Sequence, residues 1–249
     1  MGYVRDVFQQ RHMNNLSGNL GIGHVRYPTA GGVGKEFAQP MYVNAPYGIS
    51  LAHNGNLTNS KKLAAELFHA ERRHINTESD SEVLLNILAL ELSKQEAVFP
   101  KPKDYFSAIE KTHMRINGAY AVVALITGYG ILGFRDPLGI RPLTIGVRKG
   151  KNRNEYIISS ETALFSALGY KFLRDVEPGE AVFIDNSGKI FSQQCSSESS
   201  KKPCIFEYVY LARPDSIIDE ISVYKSRMRM VIKLADSIRN LNLVDEIDV

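Results

Sequence analysis

Ala119-Tyr120-Ala121-Val122-Val123-Ala124-Leu125-Ile126, closely followed by Gly130-Ile131-Leu132-Gly133-Phe134, is the stretch on which the fold turns. Both segments are apolar and rich in small and β-branched residues, so they read as strands. Downstream, strands are expected at 143–148, 155–159 and 180–185. Asn186-Ser187-Gly188 then marks a hairpin toward Ile190 and Phe191. Upstream the texture is helical, after two short strands at Leu20–Tyr27 and Ile49–His53. Strands, then helices, then strands again indicate layered α and β elements of α+β type rather than a βαβ alternation.

The helices have their own signatures. Thr58 is a plausible N-cap for a helix through Arg72, with Leu63, Leu67 and Ala70 on one face. Asp80 to Ser93 places Val83, Leu84, Ile87, Leu88 and Leu92 at burial spacing. Asp104 to Ile116 is the third helix. Asp136-Pro137-Leu138-Gly139 suits a type I turn, with Asp first, Pro second and Gly fourth. Gln193 to Pro203 is polar and Ser-rich and reads as a linker. Phe206 to Leu211 reads as a strand, and Ser222 to Leu241 as an amphipathic helix carrying Tyr224, Met228, Val231, Ile232, Ala235 and Ile238 on one side. The last residues, Ile247-Asp248-Val249, read as the threshold of a new strand.

Bulk properties narrow the function. The 249 residues can bury a sizeable core, as one large domain or two smaller ones. Net charge is +3, from 30 basic and 27 acidic residues, with no basic stripe. That argues against nucleic-acid or membrane partners. No apolar run has the length that spans a bilayer. The two cysteines, Cys195 and Cys204, rule out a disulfide framework and favour a cytoplasmic setting. Their separation fits no zinc pattern. His12, His24, His53, His69, His74 and His113 show no metal-ligand spacing either, so no metal site is expected.

Three polar groups stand at the ends of apolar segments. They are Arg26 in Gly23-His24-Val25-Arg26-Tyr27-Pro28-Thr29-Ala30-Gly31, Asn54-Gly55 in His53-Asn54-Gly55-Asn56-Leu57-Thr58-Asn59, and Asp80 in Ser79-Asp80-Ser81-Glu82. A cation, a side-chain amide beside a flexible glycine and a carboxylate are what is needed to hold an amino acid and polarise its side-chain carbonyl. Each motif alone has a plainer reading. Asn54-Gly55 suits a hairpin turn. Ser79-Asp80-Ser81-Glu82 suits a capping box in which Ser79 caps and Glu82 reaches back. Arg26 suits a solvated charge. The Gly-rich loop from Pro28 to Pro40 lacks phosphate-loop spacing.

Taken together, Gly-Ile-Gly-His-Val-Arg-Tyr-Pro-Thr-Ala-Gly, His-Asn-Gly-Asn-Leu-Thr-Asn, Thr-Glu-Ser-Asp-Ser-Glu-Val-Leu-Leu-Asn and Arg-Asp-Pro-Leu-Gly-Ile-Arg-Pro-Leu resemble the class II glutamine amidotransferase domain, an N-terminal-nucleophile hydrolase. Phe206-Glu-Tyr-Val-Tyr-Leu-Ala-Arg-Pro-Asp-Ser216 is similar to the passage into the second domain of the amidophosphoribosyltransferase branch. The resemblance implies a four-layer α-β-β-α sandwich over 1–203. It also implies the start of an α/β phosphoribosyltransferase domain over 204–249. The implied chemistry is glutamine hydrolysis, with the ammonia displacing pyrophosphate from phosphoribosyl pyrophosphate to give phosphoribosylamine in the first step of purine synthesis. The resemblance further implies a homo-oligomer and a need for magnesium in the full-length enzyme.

By the same resemblance, Arg26 grips the glutamine α-carboxylate and Asp80 receives the α-ammonium. Asn54 and Gly55 form the oxyanion hole. Tyr27 to Gly34, with Thr29 counted among the substrate-binding residues, is the loop that closes over glutamine. Cys204 lies where some members place one ligand of an iron–sulfur cluster, but one thiol does not make such a site. The family nucleophile is an N-terminal cysteine in a Cys-Gly-Ile/Val segment, whereas this chain opens Met1-Gly2-Tyr3. The expectation is therefore a fragment that retains the glutamine-binding shell and is itself inactive. A non-catalytic glutamine-binding module, or a split subunit, is the alternative.

Overall fold

The computed structural model describes residues 3–26, 34–95 and 98–241. The chain forms two compact units, Met1–Arg141 with Val176–Lys201, and Pro142–Asp175 with Lys202–Val249.

The first unit is built on one antiparallel sheet. Its strands are β1 (Met41–Val43), β2 (Ile49–Leu57), β3 (Gly118–Ile126), β4 (Gly130–Arg135), β8 (Glu180–Asp185) and β9 (Ile190–Gln194), in the order β1-β2-β3-β4-β8-β9. The two segments that decided the fold pair with each other, Ala121 opposite Arg135 and Ile126 opposite Gly130. They hold the middle of the sheet, and Val122, Ala124, Leu132 and Phe134 are fully buried.

Three helices complete this unit, α3 (Ser60–His69), α4 (Asp80–Ser93) and α5 (Pro102–Arg115). Ser81 to Leu92 of α4 are all buried, well beyond the five positions read from periodicity. The cause is its place: α4 packs against α3, α5, β1 and β2, and a helix covered all round is apolar all round. Glu91, on its last turn, is met by Arg115 of α5 at 2.6 Å.

The second unit holds the antiparallel sheet β6-β5-β7, from β5 (Thr144–Lys149), β6 (Asn154–Ser159) and β7 (Lys171–Asp175), with α6 (Ala163–Ala167) before β7. A hairpin, β10 (Ile217–Ile218) with β11 (Ile221–Ser222), leads into α7 (Val223–Asn240). Ser222 caps α7 by accepting from the Lys225 N–H.

Several expectations need correction. Leu20–Gly23 and His24–Arg26 form no strand; the first residues instead hold two short helices, α1 (Val4–Val7) and α2 (Gln10–Asn15), with nothing buried. Thr58 does not cap α3. The cap position is Asn59, whose side chain is occupied by the Arg115 carbonyl and the Asn117 N–H, and Ala70 lies past the helix end and is exposed. The hairpin strand β9 extends into the supposed linker, and Cys195 beyond it is buried.

Glu207–Leu211 is a π-helical turn, not a strand. Arg227 stabilises it by donating to the Tyr208 and Ala212 carbonyls at 2.8 and 2.7 Å. The apolar side expected of α7 exists, but Tyr224, Met228, Val231 and Ile232 on it are exposed. Ile247-Asp248-Val249 lies outside the described residues.

One buried pair gives the first unit a predictable pH response. His113 of α5 places Nδ1 2.7 Å from the Tyr120 hydroxyl, and its ring stacks on that of Tyr120. Burial pulls the His113 pKa down to about 4. The unfolded chain, with an ordinary histidine, takes up its proton near pH 6.5. The stabilisation from keeping His113 neutral is therefore complete above about pH 6.5 and is lost as pH falls toward 4. The loss amounts to about 3 kcal/mol. Urea unfolding at pH 7, 5.5 and 4.5 should show this decline, and His113→Gln should flatten it. An equal decline in the variant would place the acid sensitivity elsewhere.

Candidate active site

The site grows from an irregularity in β2. The strand was expected to stop at His53, yet it runs on to Leu57, paired with β3 through Asn54↔Ala121, Gly55↔Tyr120 and Asn56↔Ala119. Asn54-Gly55 is therefore strand, which excludes the hairpin-turn reading. Gly55 sits at φ +143°, and a Cβ there would run into the Ala119 main chain. Only glycine fits this close approach.

The ladder fixes where the β2 amides point. Tyr120 spends both main-chain groups on Asp136: its N–H donates to Asp136 Oδ2 at 3.2 Å, and its carbonyl accepts from the Asp136 N–H at 2.8 Å. Gly55, directly opposite Tyr120, therefore makes no ladder bond to β3. The Thr58 N–H meets the Asn117 carbonyl at 2.8 Å, which puts the even-numbered residues on the β3 side. The odd-numbered N–H groups face the other way, beyond the end of β1. His53 N–H donates to Gln39 Oε1 at 2.7 Å, and Leu57 N–H donates to Asp80 Oδ2 at 2.9 Å. Between them stands the Gly55 N–H, which no described group takes.

Asn54 is oriented as tightly. Its Oδ1 accepts from Arg141 Nη2 at 2.6 Å. A guanidinium can only donate, so the amide nitrogen is the end of Asn54 left to donate elsewhere. Arg141 is itself placed by the turn that begins at Asp136. The buried Asp136 carboxylate accepts from the N–H groups of Leu138, Ile140 and Arg141, and Gly139 closes the turn at φ +58°. The neighbouring Arg135 is fully buried and donates to the carbonyls of Arg141, Gly139 and Val176.

Asp80 opens α4, where the helix N-terminus favours a carboxylate. The capping box is only half present. Ser79 accepts from the Ser81 N–H, but the Glu82 carboxylate is taken by the main chain and side chains of Asn76 and Thr77. Burial would raise the Glu82 pKa; these hydrogen bonds outweigh it and hold the group below the usual carboxylate range. An open cleft of about 610 Å3 lies beside Asp80, between Asn56 of β2, Thr77, Glu78 and the α3 residues Ser60 and Phe68.

Arg26 lies over the Phe37 ring, 5.4 Å from its centroid, and its charge reaches His24. Burial, helped by Arg26, lowers the His24 pKa. His24 in turn acts on His53, which also feels Asp80 and Arg141. The structure ties Asp80 to β2 through the Leu57 N–H, two residues beyond Gly55, and sets Arg26 over Phe37. Thr29 and residues 27–33 of the expected closing loop lie outside the described residues.

Arg141, Asp136, His53 and Gln39 were not read from the sequence as site residues. Arg-Asp-Pro-Leu-Gly-Ile-Arg was read as a turn and as one motif of the family resemblance, not as part of the site. The reach of Arg141 back to Asn54, 87 positions away, is visible only in three dimensions.

The Cys195 thiol is not activated. Cys195 is buried and pushed up to about 12, first by burial and then by Glu110. Among the described residues no three His, Cys, Asp or Glu side chains gather to hold a metal ion. No helix among them is long and apolar enough to cross a membrane.

Comparison with known proteins gives the family. A family model described as a glutamine amidotransferase domain matches residues 34–167, which include Asn54, Gly55 and Asp80. The chain is 56% identical to an amidophosphoribosyltransferase of Pseudomonas aeruginosa, over all of this chain and 50% of the relative. It is 55% identical to one of Escherichia coli, over 95% of this chain and 47% of the relative. A solved glutamine phosphoribosylpyrophosphate amidotransferase from B. subtilis, complexed with ADP and GMP, superimposes with a TM-score of 0.65 at 35% identity, over 80% of this chain and 40% of that one. The chain spans about half the length of the curated relatives it matches.

Proposed function

The chain belongs to the glutamine amidotransferase family, and from that premise we propose that Arg26, Asn54, Gly55 and Asp80 bind L-glutamine and prepare its amide for hydrolysis to glutamate and ammonia. The antiparallel sheet and helical layer of its first unit fit the N-terminal-nucleophile hydrolase fold. The observation that carries the reading is the unclaimed Gly55 N–H beside the oriented Asn54 amide, two residues from the Leu57 N–H that holds Asp80.

In this reading the Asp80 carboxylate takes the α-ammonium, and the Arg26 guanidinium takes the α-carboxylate. Binding both ends of the amino-acid group directs the side-chain amide toward Asn54 and Gly55. Their two N–H donors face the oxygen that becomes negative in the tetrahedral intermediate. Such a donor contributes about 10²–10³ in rate. Thr29, on the loop from Tyr27 to Gly34, contacts the substrate when that loop closes. The attacking thiol is the N-terminal cysteine of the family, a role that buried Cys195 does not fit.

The reading extends to the longer relatives' reaction. Residues 1–203 are assigned to glutaminase chemistry and 204–249 to the approach to a phosphoribosyltransferase domain. There the released ammonia displaces pyrophosphate from phosphoribosyl pyrophosphate in the first step of purine synthesis, in the cytoplasm and in a homo-oligomer. The similarity to amidophosphoribosyltransferases supports this extension.

Calorimetric titration of the 249-residue chain with L-glutamine tests the binding step. Asp80→Asn is expected to weaken binding by at least about tenfold, the scale of a lost charge-assisted hydrogen bond. Asn54→Ala should leave affinity nearly unchanged, because its donor acts on charge that develops only in the transition state. Absence of glutamine binding, or an Asp80→Asn variant that binds as well as the parent, would refute the assignment.

A further inference from the structure

We propose that Gln39, His53 and Ser81 form a closed hydrogen-bonded ring that sets the spacing between the oxyanion donors on β2 and the ammonium acceptor on α4. The inference rests on the glutamine reading for its functional meaning, and its geometry can be tested apart from it.

The ring has three links. The His53 main-chain N–H donates to Gln39 Oε1 at 2.7 Å. Gln39 Nε2 donates to Ser81 Oγ at 3.0 Å. Ser81 Oγ lies 3.1 Å from His53 Nδ1. A main-chain N–H can only donate, so the Gln39 oxygen must face it and the Gln39 NH2 must face Ser81. The Ser81 hydroxyl keeps both a proton and a second lone pair, so it can donate to His53 Nδ1 or accept from it. With the hydroxyl donating, as we assign it, His53 is the neutral tautomer with its proton on Nε2. Burial favours the same neutral form, holding the ring below its usual pKa against the pull of Asp80. His53 and Ser81 are almost entirely buried, so water is kept from the link between them, while the two links through half-buried Gln39 are less shielded.

Position gives the ring its role. His53 directly precedes Asn54 and Gly55, and Ser81 directly follows Asp80. One small motif thus joins the two halves of the site at the residues next to its working groups. The Asp80–Leu57 bond is a second tie between the same strand and helix. Gln39, His53 and Ser81 need not touch glutamine; they are positioning residues.

Amide hydrogen exchange of the 249-residue chain reads the spacing. Leu57 N–H reports the Asp80 tie, while Val122 and Ala124, in the middle of the sheet, report global opening. In Ser81→Ala, Leu57 exchange should accelerate about tenfold more than that of Val122 and Ala124, the scale of one lost buried hydrogen bond expressed locally. Ring-nitrogen NMR should show His53 with its proton on Nε2 in the parent, and that preference should be lost in Ser81→Ala. Equal acceleration at all three amides, none at Leu57, or an Nδ1 proton in the parent would overturn the proposal. If the parent fails to bind glutamine while the exchange pattern holds, the functional reading falls and the ring stands as a strand–helix spacer.

Discussion

Asp136→Ala is expected to destabilise the first unit by about 3–5 kcal/mol, the range for removing one partner from a buried, charged hydrogen-bond network. Asp136 has no solvent exposure. Its carboxylate accepts four main-chain N–H groups, those of Tyr120, Leu138, Ile140 and Arg141. Alanine leaves all four without an acceptor in a place water does not reach. The effect should show as a lower urea midpoint with little change in slope. Asp136→Asn keeps the volume and one acceptor oxygen, so its loss should be smaller. The consequences should reach the site as well, because the same turn aims Arg141 at Asn54. A variant as stable as the parent would mean that the turn holds its shape through its main chain alone.

Gly55→Ala should be at least as damaging, and for a different reason. No contact is removed; instead a methyl group is forced into the Ala119 main chain at a φ of +143°. Neither β2 nor β3 can give way without losing ladder bonds on both sides of the central strand. A cost of about 3 kcal/mol or more follows from overpacking and left-handed strain together. If the variant folds, its Gly55-position N–H will have moved, and with it the oxyanion donor. In a protein competent for glutamine hydrolysis the rate should then drop by about 10²-fold or more. A folded variant with unchanged rate would remove the Gly55 N–H from the chemistry.

How much was legible in the sequence follows from the range of the interactions. Helices and central strands declare themselves through periodicity, which is local, and the segments 119–126 and 130–134 were found nearly to the residue. What misled was also local. Asn54-Gly55 has the composition of a turn, yet tertiary pairing with β3 holds it as strand. Phe206–Leu211 is rich in aromatic and apolar residues like a strand, but Arg227 on α7 gathers the carbonyls of Tyr208 and Ala212 into a wide turn. Ser79 and Glu82 have capping-box spacing, but the Asn76–Thr77 segment reaches the Glu82 carboxylate first. Asp80, Asn54 and Gly55 were nameable because their motifs are contiguous. Arg141 and Gln39 were not, because what they do depends on partners brought close by the fold.

The outward amides of β2 have one more consequence. Past the end of β1, no strand among the described residues pairs with this stretch of β2, and such a border is the kind of surface on which a foreign strand could dock and seed aggregation. Here two of three successive donors are already engaged by the side chains of Gln39 and Asp80. A visiting strand needs a run of alternate donors and finds, among the described residues, a single vacancy. One free N–H is too little to template a ladder but enough to stabilise one oxygen anion. The residues that shape the pocket therefore also guard the chain against self-association, and substitutions at Gln39 or Asp80 should be watched for precipitation as closely as for lost affinity.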